Sequence, residues 1–184
     1  YYHDTASLYQ TIKVYDPTSA TPKATQTIKI TKPDGTKTVG KNVYGPDGKT
    51  LDHVDNFTID PVTGAETPTT TSYVDGNGKT THVVDHQKNT TTYHFYDANG
   101  DLTHTLTVGQ ADDGSYYISA KENFKDGIRV SSESFEPLVA PAAQSFNGVD
   151  AETKELLFVD TVDPVTGVLR RDYQPGYDEA SVAQ

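Results

Sequence analysis

Apolar and polar residues alternate with a period of two along most of this chain, which predicts strands and few helices. Thr11-Ile12-Lys13-Val14-Tyr15 alternates, and Thr25–Thr31 does so again with Ile28 and Ile30 on one face. Phe57-Thr58-Ile59, Thr80–Val84, Thr92–Tyr96 and Leu157-Phe158-Val159 are rich in the β-branched and aromatic residues that suit a pleated surface. Turn chemistry separates these runs. Lys32-Pro33-Asp34-Gly35 is a hairpin signal, and Tyr44–Lys49, Tyr73–Lys79 and Tyr96–Asp101 each follow a Tyr with a tight Asp/Asn-Gly turn. Each then enters a polar strand, reaching His53, His82 or His104. The intervals are irregular, so the pattern predicts successive antiparallel hairpins and excludes a fixed-period solenoid. Ser19–Ala24 reads as a short linker, extended by Pro22.

Helical signal is sparse. Pro137 and Pro141 limit any helix within Phe135–Phe146 to about one turn. Val149–Leu157 has two readings. Asp150 can N-cap a helix that places Glu152 favourably near its N-terminus, or Asp150–Lys154 can be a turn feeding a strand Glu155–Asp160.

The pentapeptide Asp-Pro-Val-Thr-Gly occurs twice, at Asp60–Gly64 and Asp163–Gly167. In each copy Asp can bond the backbone two residues on, Pro presets φ, and Gly supplies a positive-φ position. The duplication points to two related β-rich units in series, divided near His86–Asn89, as modules 1–87 and 88–184. The expected class is mainly β, with two small hairpin-rich domains in an elongated arrangement.

Composition sharpens this. Hydrophobic residues make up 34% of the 184, below the usual 45–50%. Two thin cores fit better than one thick one. The 12 Tyr and 6 Phe, set in β-branched runs, argue against disorder despite a net charge of −11. Zero Cys removes disulfides and thiolate metal sites and fits an exported Gram-positive surface protein. No apolar run approaches the roughly 18 residues that span a membrane, and Tyr1-Tyr2-His3-Asp4 does not read as a signal peptide. The absence of Met points to a fragment of a longer chain. The 15 Lys and Arg are dispersed, with Arg170-Arg171 the one adjacent pair, which argues against nucleic acid.

Three segments together resemble the mucus-binding (Mub) repeats of lactobacillus cell-surface adhesins. They are Ala24–Gly35, Phe57–Gly64 and Gly176–Val182, while the Tyr-Gly-x-Trp signature of those repeats has no counterpart here. The resemblance implies β-grasp (ubiquitin-like) modules in a rod, in a cell-wall-anchored, extracellular protein. It also implies a monomeric unit of a tandem array that binds host mucin glycans and, in some repeats, immunoglobulins. A structural spacer, or stalk, is the alternative role.

Candidate chemistry is limited. His82 and His86 lie four apart on a strand-like segment, which separates them by about 13 Å, too far to share one zinc. Asp97-x-Asn99-x-Asp101 has the first three ligand spacings of a calcium loop, but Val108 stands where the bidentate Glu belongs. Asn99-Gly100 accounts for the same residues as a hairpin turn. No nucleophile elbow and no Cys is present, so a non-enzymatic protein without cofactor is expected. An internal isopeptide cross-link would need a buried Lys, an Asn or Asp and a nearby acid, and sequence alone selects no triplet. The tyrosines are binding-surface candidates, with filling of thin cores as the plainer reading. Thr25–Thr31 and Thr90–Thr92 are candidate sheet edges for strand addition.

Overall fold

A computed structural model describes residues 9–15, 22–30, 35–135, 145–150 and 153–182; side chains at 9–15, 22, 28–30, 145–146 and 179–180 lie outside that description. The chain is mainly β and antiparallel. It divides into two compact units, Tyr1–Lys88 and Asn89–Gln184.

In the first unit, β1 (Tyr9–Tyr15), β2 (Pro22–Ile30) and β3 (Lys37–Tyr44) are followed by β4 (Leu51–Ile59), β5 (Glu66–Val74) and β6 (Thr80–Asp85). Each strand pairs antiparallel with the next, giving a six-stranded meander. Pro22, Lys23 and Ala24, read as linker in the sequence, belong to β2. Pro22 is tolerated because it opens the strand at a register irregularity opposite Tyr15. Among the described residues this unit has no second sheet. The buried side chains among its described residues are correspondingly few: Ala24, Val39 and Thr71. Cross-strand neighbours supply the rest, with Val39 opposite Phe57 and Val43 opposite His53.

In the second unit, β7 (Thr90–Tyr96), β8 (Leu102–Gln110), β9 (Tyr116–Lys125) and β10 (Ile128–Ser134) form another antiparallel meander. A three-stranded sheet follows, built from β11 (Ser145–Val149), β12 (Leu156–Val162) and β13 (Leu169–Tyr173). A four-residue helix, α1 (Glu179–Val182), comes last. Here two sheets face each other. Leu106 and Val108 of β8, Ile118 of β9 and Val162 of β12 are buried together, and Tyr93, Phe95, Tyr116, Phe135 and Leu169 pack around them. Tyr93 and Tyr116 therefore serve the core, the plainer of their two readings.

At the described residues Asp150, Thr153 and Lys154 the chain makes turn bonds that lead into a strand, the second of the two readings. Asp150 accepts the amide of Thr153 on its side chain at 2.6 Å and that of Lys154 on its carbonyl at 3.0 Å, and the chain then enters β12. The reading of Phe135–Phe146 falls mostly outside the described residues, as does most of the N-terminal arm.

Both Asp-Pro-Val-Thr-Gly copies close hairpins, β4 to β5 and β12 to β13, with one bonding pattern. Asp60 Oδ1 accepts the amides of Val62 and Thr63 at 2.9 and 2.7 Å; Asp163 Oδ1 accepts those of Val165 and Thr166 at 2.8 and 2.7 Å. These bonds hold both carboxyls below the usual carboxylate range. Gly64 and Gly167 sit at φ +71° and +69°. Their surroundings differ. Nothing lies within 4 Å of a Cβ placed on Gly64, whereas one on Gly167 would meet the Tyr116 ring at 2.9 Å. Gly64→Ala should therefore cost about 1 kcal/mol, the backbone strain alone, and Gly167→Ala about 2–3 kcal/mol, strain plus overlap. Urea denaturation of the two variants measures the difference; equal losses would contradict the packed role of the second loop.

Candidate functional site

The inward positions of the three-stranded sheet follow from alternation. Phe158, Asp160 and Val162 are the buried residues of β12, and their direct partners on β13 are Tyr173, Arg171 and Leu169. An acid and a base thus enter an apolar layer opposite each other. Asp160 is only 1% exposed. Arg171 answers it with two bonds, Nε to Oδ1 at 2.6 Å and Nη2 to Oδ2 at 2.5 Å. The guanidinium carbon lies 4.1 Å from the centre of the Phe95 ring and 3.7 Å from that of Phe158. A cation stacked on rings this way gains about 2 kcal/mol when desolvated. Phe158 reaches that position because β11 carries Gly148 beneath it; a Cβ there would sit 2.2 Å from the ring.

His104 completes the cluster from β8. Its ring stacks on Phe95 at 4.6 Å and 10°. Arg171 Nη2 lies 2.9 Å from His104 Nε2, and Thr103 Oγ1 lies 3.0 Å from His104 Nδ1. The guanidinium can only donate, so Nε2 holds the lone pair and Nδ1 carries the proton. Burial, then the charges of Arg171 and Lys121, push His104 down to about 3. Burial likewise lowers the Lys121 ammonium, opposed by Glu133 and Asp160.

A cavity of about 510 Å³ opens beside this cluster. Phe95, Tyr96 and Asp97 line it from β7 and the following turn, Asn147 from β11, Lys121 from β9 and Tyr173 from β13. Tyr173 meets Phe158 edge-on, with centroids 6.1 Å apart. Aromatic walls with an amide, a carboxylate and an ammonium can hold a polar ligand that has apolar faces. The cluster offers little for proton transfer, because both ring nitrogens of His104 are engaged and Asp160 is held by Arg171.

The sequence candidates are distributed differently. Asp97 Oδ1 accepts the amides of Asn99 and Asp101 at 2.9 and 2.8 Å, and Gly100 takes φ +86°, so these three residues build a hairpin turn. Among the described residues no group of three or more His, Asp or Glu is placed to hold a metal ion. His82 stacks on Tyr73 at 4.4 Å, and His53 lies 5.3 Å from that ring on its other side. His86 sits past the end of β6 and contacts Thr71 Oγ1 at 2.8 Å. Thr25–Thr31 is corrected as a sheet edge: β2 bonds β1 on one side and β3 on the other, so its described backbone groups are used. Thr90–Thr92 lies in β7, which pairs with β8. β10 ends its meander, but a bulge at Val130 and the charges of Arg129 and Glu133 blunt that edge.

Sequence reasoning missed Asp160, Arg171, His104 and Phe158 as a cluster. A signal existed. Extending the β12–β13 hairpin outward from Asp163–Gly167 pairs Asp160 with Arg171, and alternation puts both on the face that carries Val162 and Leu169.

No protein-family model matches this chain, and no characterised protein or solved structure matches it.

Two outcomes test the cluster. Asp160→Asn should cost about 3 kcal/mol by leaving Arg171 buried without its counter-charge, while the double change Asp160→Val with Arg171→Met should cost less than the single one. Chemical denaturation decides; additive losses would refute the pairing argument. The pH dependence follows from His104. Its folded value lies below the unfolded one, so the unfolded chain binds more protons between them. This stability is fully present above about pH 6.5 and is lost as pH falls toward 3, by roughly 4–5 kcal/mol over the whole window. His104→Gln should flatten the slope of unfolding free energy between about pH 6.5 and 5.5, above the range where ordinary carboxylates titrate. An unchanged slope would place the titrating group elsewhere.

Proposed function

We propose that this chain is a non-enzymatic repeat of a bacterial cell-surface adhesin that binds host mucin glycoprotein through the cavity of its second unit. The observation that carries the reading is the cavity's composition. Tyr173, Tyr96 and Phe95 offer ring surface, and Asn147 and Asp97 offer hydrogen-bonding groups beside it. Saccharides present that combination of C–H faces and hydroxyls. The clamped Arg171–Asp160 pair and the doubly bonded His104 support binding over catalysis. The acidic balance and the resemblance to mucus-binding repeats support an extracellular, cell-wall-anchored position on a Gram-positive surface, as one monomeric unit of a tandem array. Immunoglobulin is a further partner that the resemblance implies. The β-grasp form belongs to the same proposal; its hallmark, a longer helix laid across a mixed sheet, is not among the described residues, whose pairs are all antiparallel.

One observation favours the spacer role for the first unit. Its six strands pair in sequence order and carry few buried side chains among the described residues, an economical way to extend a chain.

Single sites of this kind bind on the order of mM to µM and gain strength by repetition. A tandem array of this chain should bind purified mucin and lose binding to deglycosylated mucin. Tyr173→Ala in every copy should weaken binding about five- to tenfold per site. No difference between native and deglycosylated mucin would leave the spacer reading in its place.

A further inference from the structure

The first unit carries a second concavity, of about 540 Å³, on the β4–β5–β6 part of its meander. Phe57 and Pro68, directly paired across β4 and β5, supply apolar surface. Asp55, Thr71, His86 and Gln87 supply polar groups at the same opening. These groups are already connected. Thr71 donates its hydroxyl to Asp55 Oδ1 at 2.8 Å, and its oxygen lies 2.8 Å from His86 Nε2. A hydroxyl has one proton to give, so with Asp55 receiving it, Nε2 of His86 must be the donor to Thr71. Asp55 Oδ2 lies 3.5 Å from His53 Nε2 on the other side. The carboxylate is thus held by Thr71 on one oxygen before any ligand arrives, with the other oxygen facing His53, while remaining 27% exposed.

We propose that this concavity is a second saccharide subsite, selective for neutral sugars. The inference rests on the reading of the chain as a glycoprotein binder but uses a separate set of residues. A fixed carboxylate accepts hydrogen bonds from paired sugar hydroxyls, the Gln87 amide can both donate and accept, and Phe57 with Pro68 gives the C–H face of a pyranose an apolar seat. The charge selection follows from the lining. Among the described residues it contains no Lys or Arg, and Asp55 repels a carboxylated or sulfated sugar on a chain of net charge −11. The second unit's cavity differs in holding Lys121 and Arg171.

The experiment is a titration of the whole 15N-labelled chain with lactose and, separately, with sialyllactose, followed by amide chemical shifts. Lactose at up to about 50 mM should shift the amides of Asp55, Phe57 and Gln87 with a Kd in the millimolar range. Sialyllactose should shift those amides at least about fivefold less at equal concentration. Asp55→Asn and, on the exposed turn, Gln87→Ala should each reduce the lactose response severalfold while the remaining amide spectrum stays dispersed and unchanged. The absence of lactose-dependent shifts in Asp55, Phe57 and Gln87 would overturn the subsite, as would equal shifts by sialyllactose or an undiminished response in both variants. Shifts confined to Tyr96, Asn147 and Tyr173 would overturn it while sustaining the second unit's cavity. Shifts confined to the first unit, with no mucin binding through Tyr173, would sustain the subsite and reject that cavity as the contact.

Discussion

The guanidinium of Arg171 is the point on which the second unit turns. It joins the two facing sheets through three kinds of contact: a bidentate bond to buried Asp160, a bond to His104 on β8, and the rings of Phe95 and Phe158 on its two faces. Each contact constrains something further. Phe158 can lie against the guanidinium only because Gly148 leaves its ring room. His104 stays neutral because burial and the adjacent cation oppose a second proton. The cavity takes part of its wall from the same residues, Phe95, His104, Phe158 and Arg171. Such an ion pair adds little net stability against an apolar replacement, but losing either half is expensive. It fixes which side chains meet, and so where the cavity opens.

The first unit solves the shortage of apolar residues in another way. It has a sheet without a second described layer, so its strands rely on neighbours along the sheet. His53, Tyr73 and His82 occupy directly paired positions on three successive strands and form a row of rings, His82 stacked on Tyr73 and His53 tilted against it. Asn56 bonds Thr70 across the β4–β5 pair at 3.0 Å. Asp carboxylates clamp the turns that hold these registers: Asp47, Asp60, Asp75 and Asp85 each accept two backbone amides. These four carboxylates therefore serve to close hairpins.

The turns were the most legible part of the sequence, because their bonds form between residues two to five apart. Asp-Pro-Val-Thr-Gly folds the same way in both copies, although Gly64 is open and Gly167 lies against Tyr116; Val62 and Val165 stand 90% and 82% exposed in the two loops. At the described residues after Asp150 two of these bonds recur, from the amides of Thr153 and Lys154, with Lys154 at φ +62° in the glycine's place. There the sequence left helix and turn open, since Asp favours both a cap and a turn. The strand that follows settled it, because β12 needs its inward residues against the other sheet.

Sequence by itself determined the strand-and-turn alternation, the hairpin chemistry and the scarcity of core, all properties of neighbours along the chain. Tertiary structure alone decided which strands are interior, as with β2, and which polar residues meet. Asp160 and His104 are 56 positions apart; the hairpin pairs Asp160 with Arg171, but nothing local to His104 marks it as buried beside them. Only the facing of two sheets brings them to one guanidinium, because burial of a charge is settled by what lies across the core and not by what lies beside it in the chain.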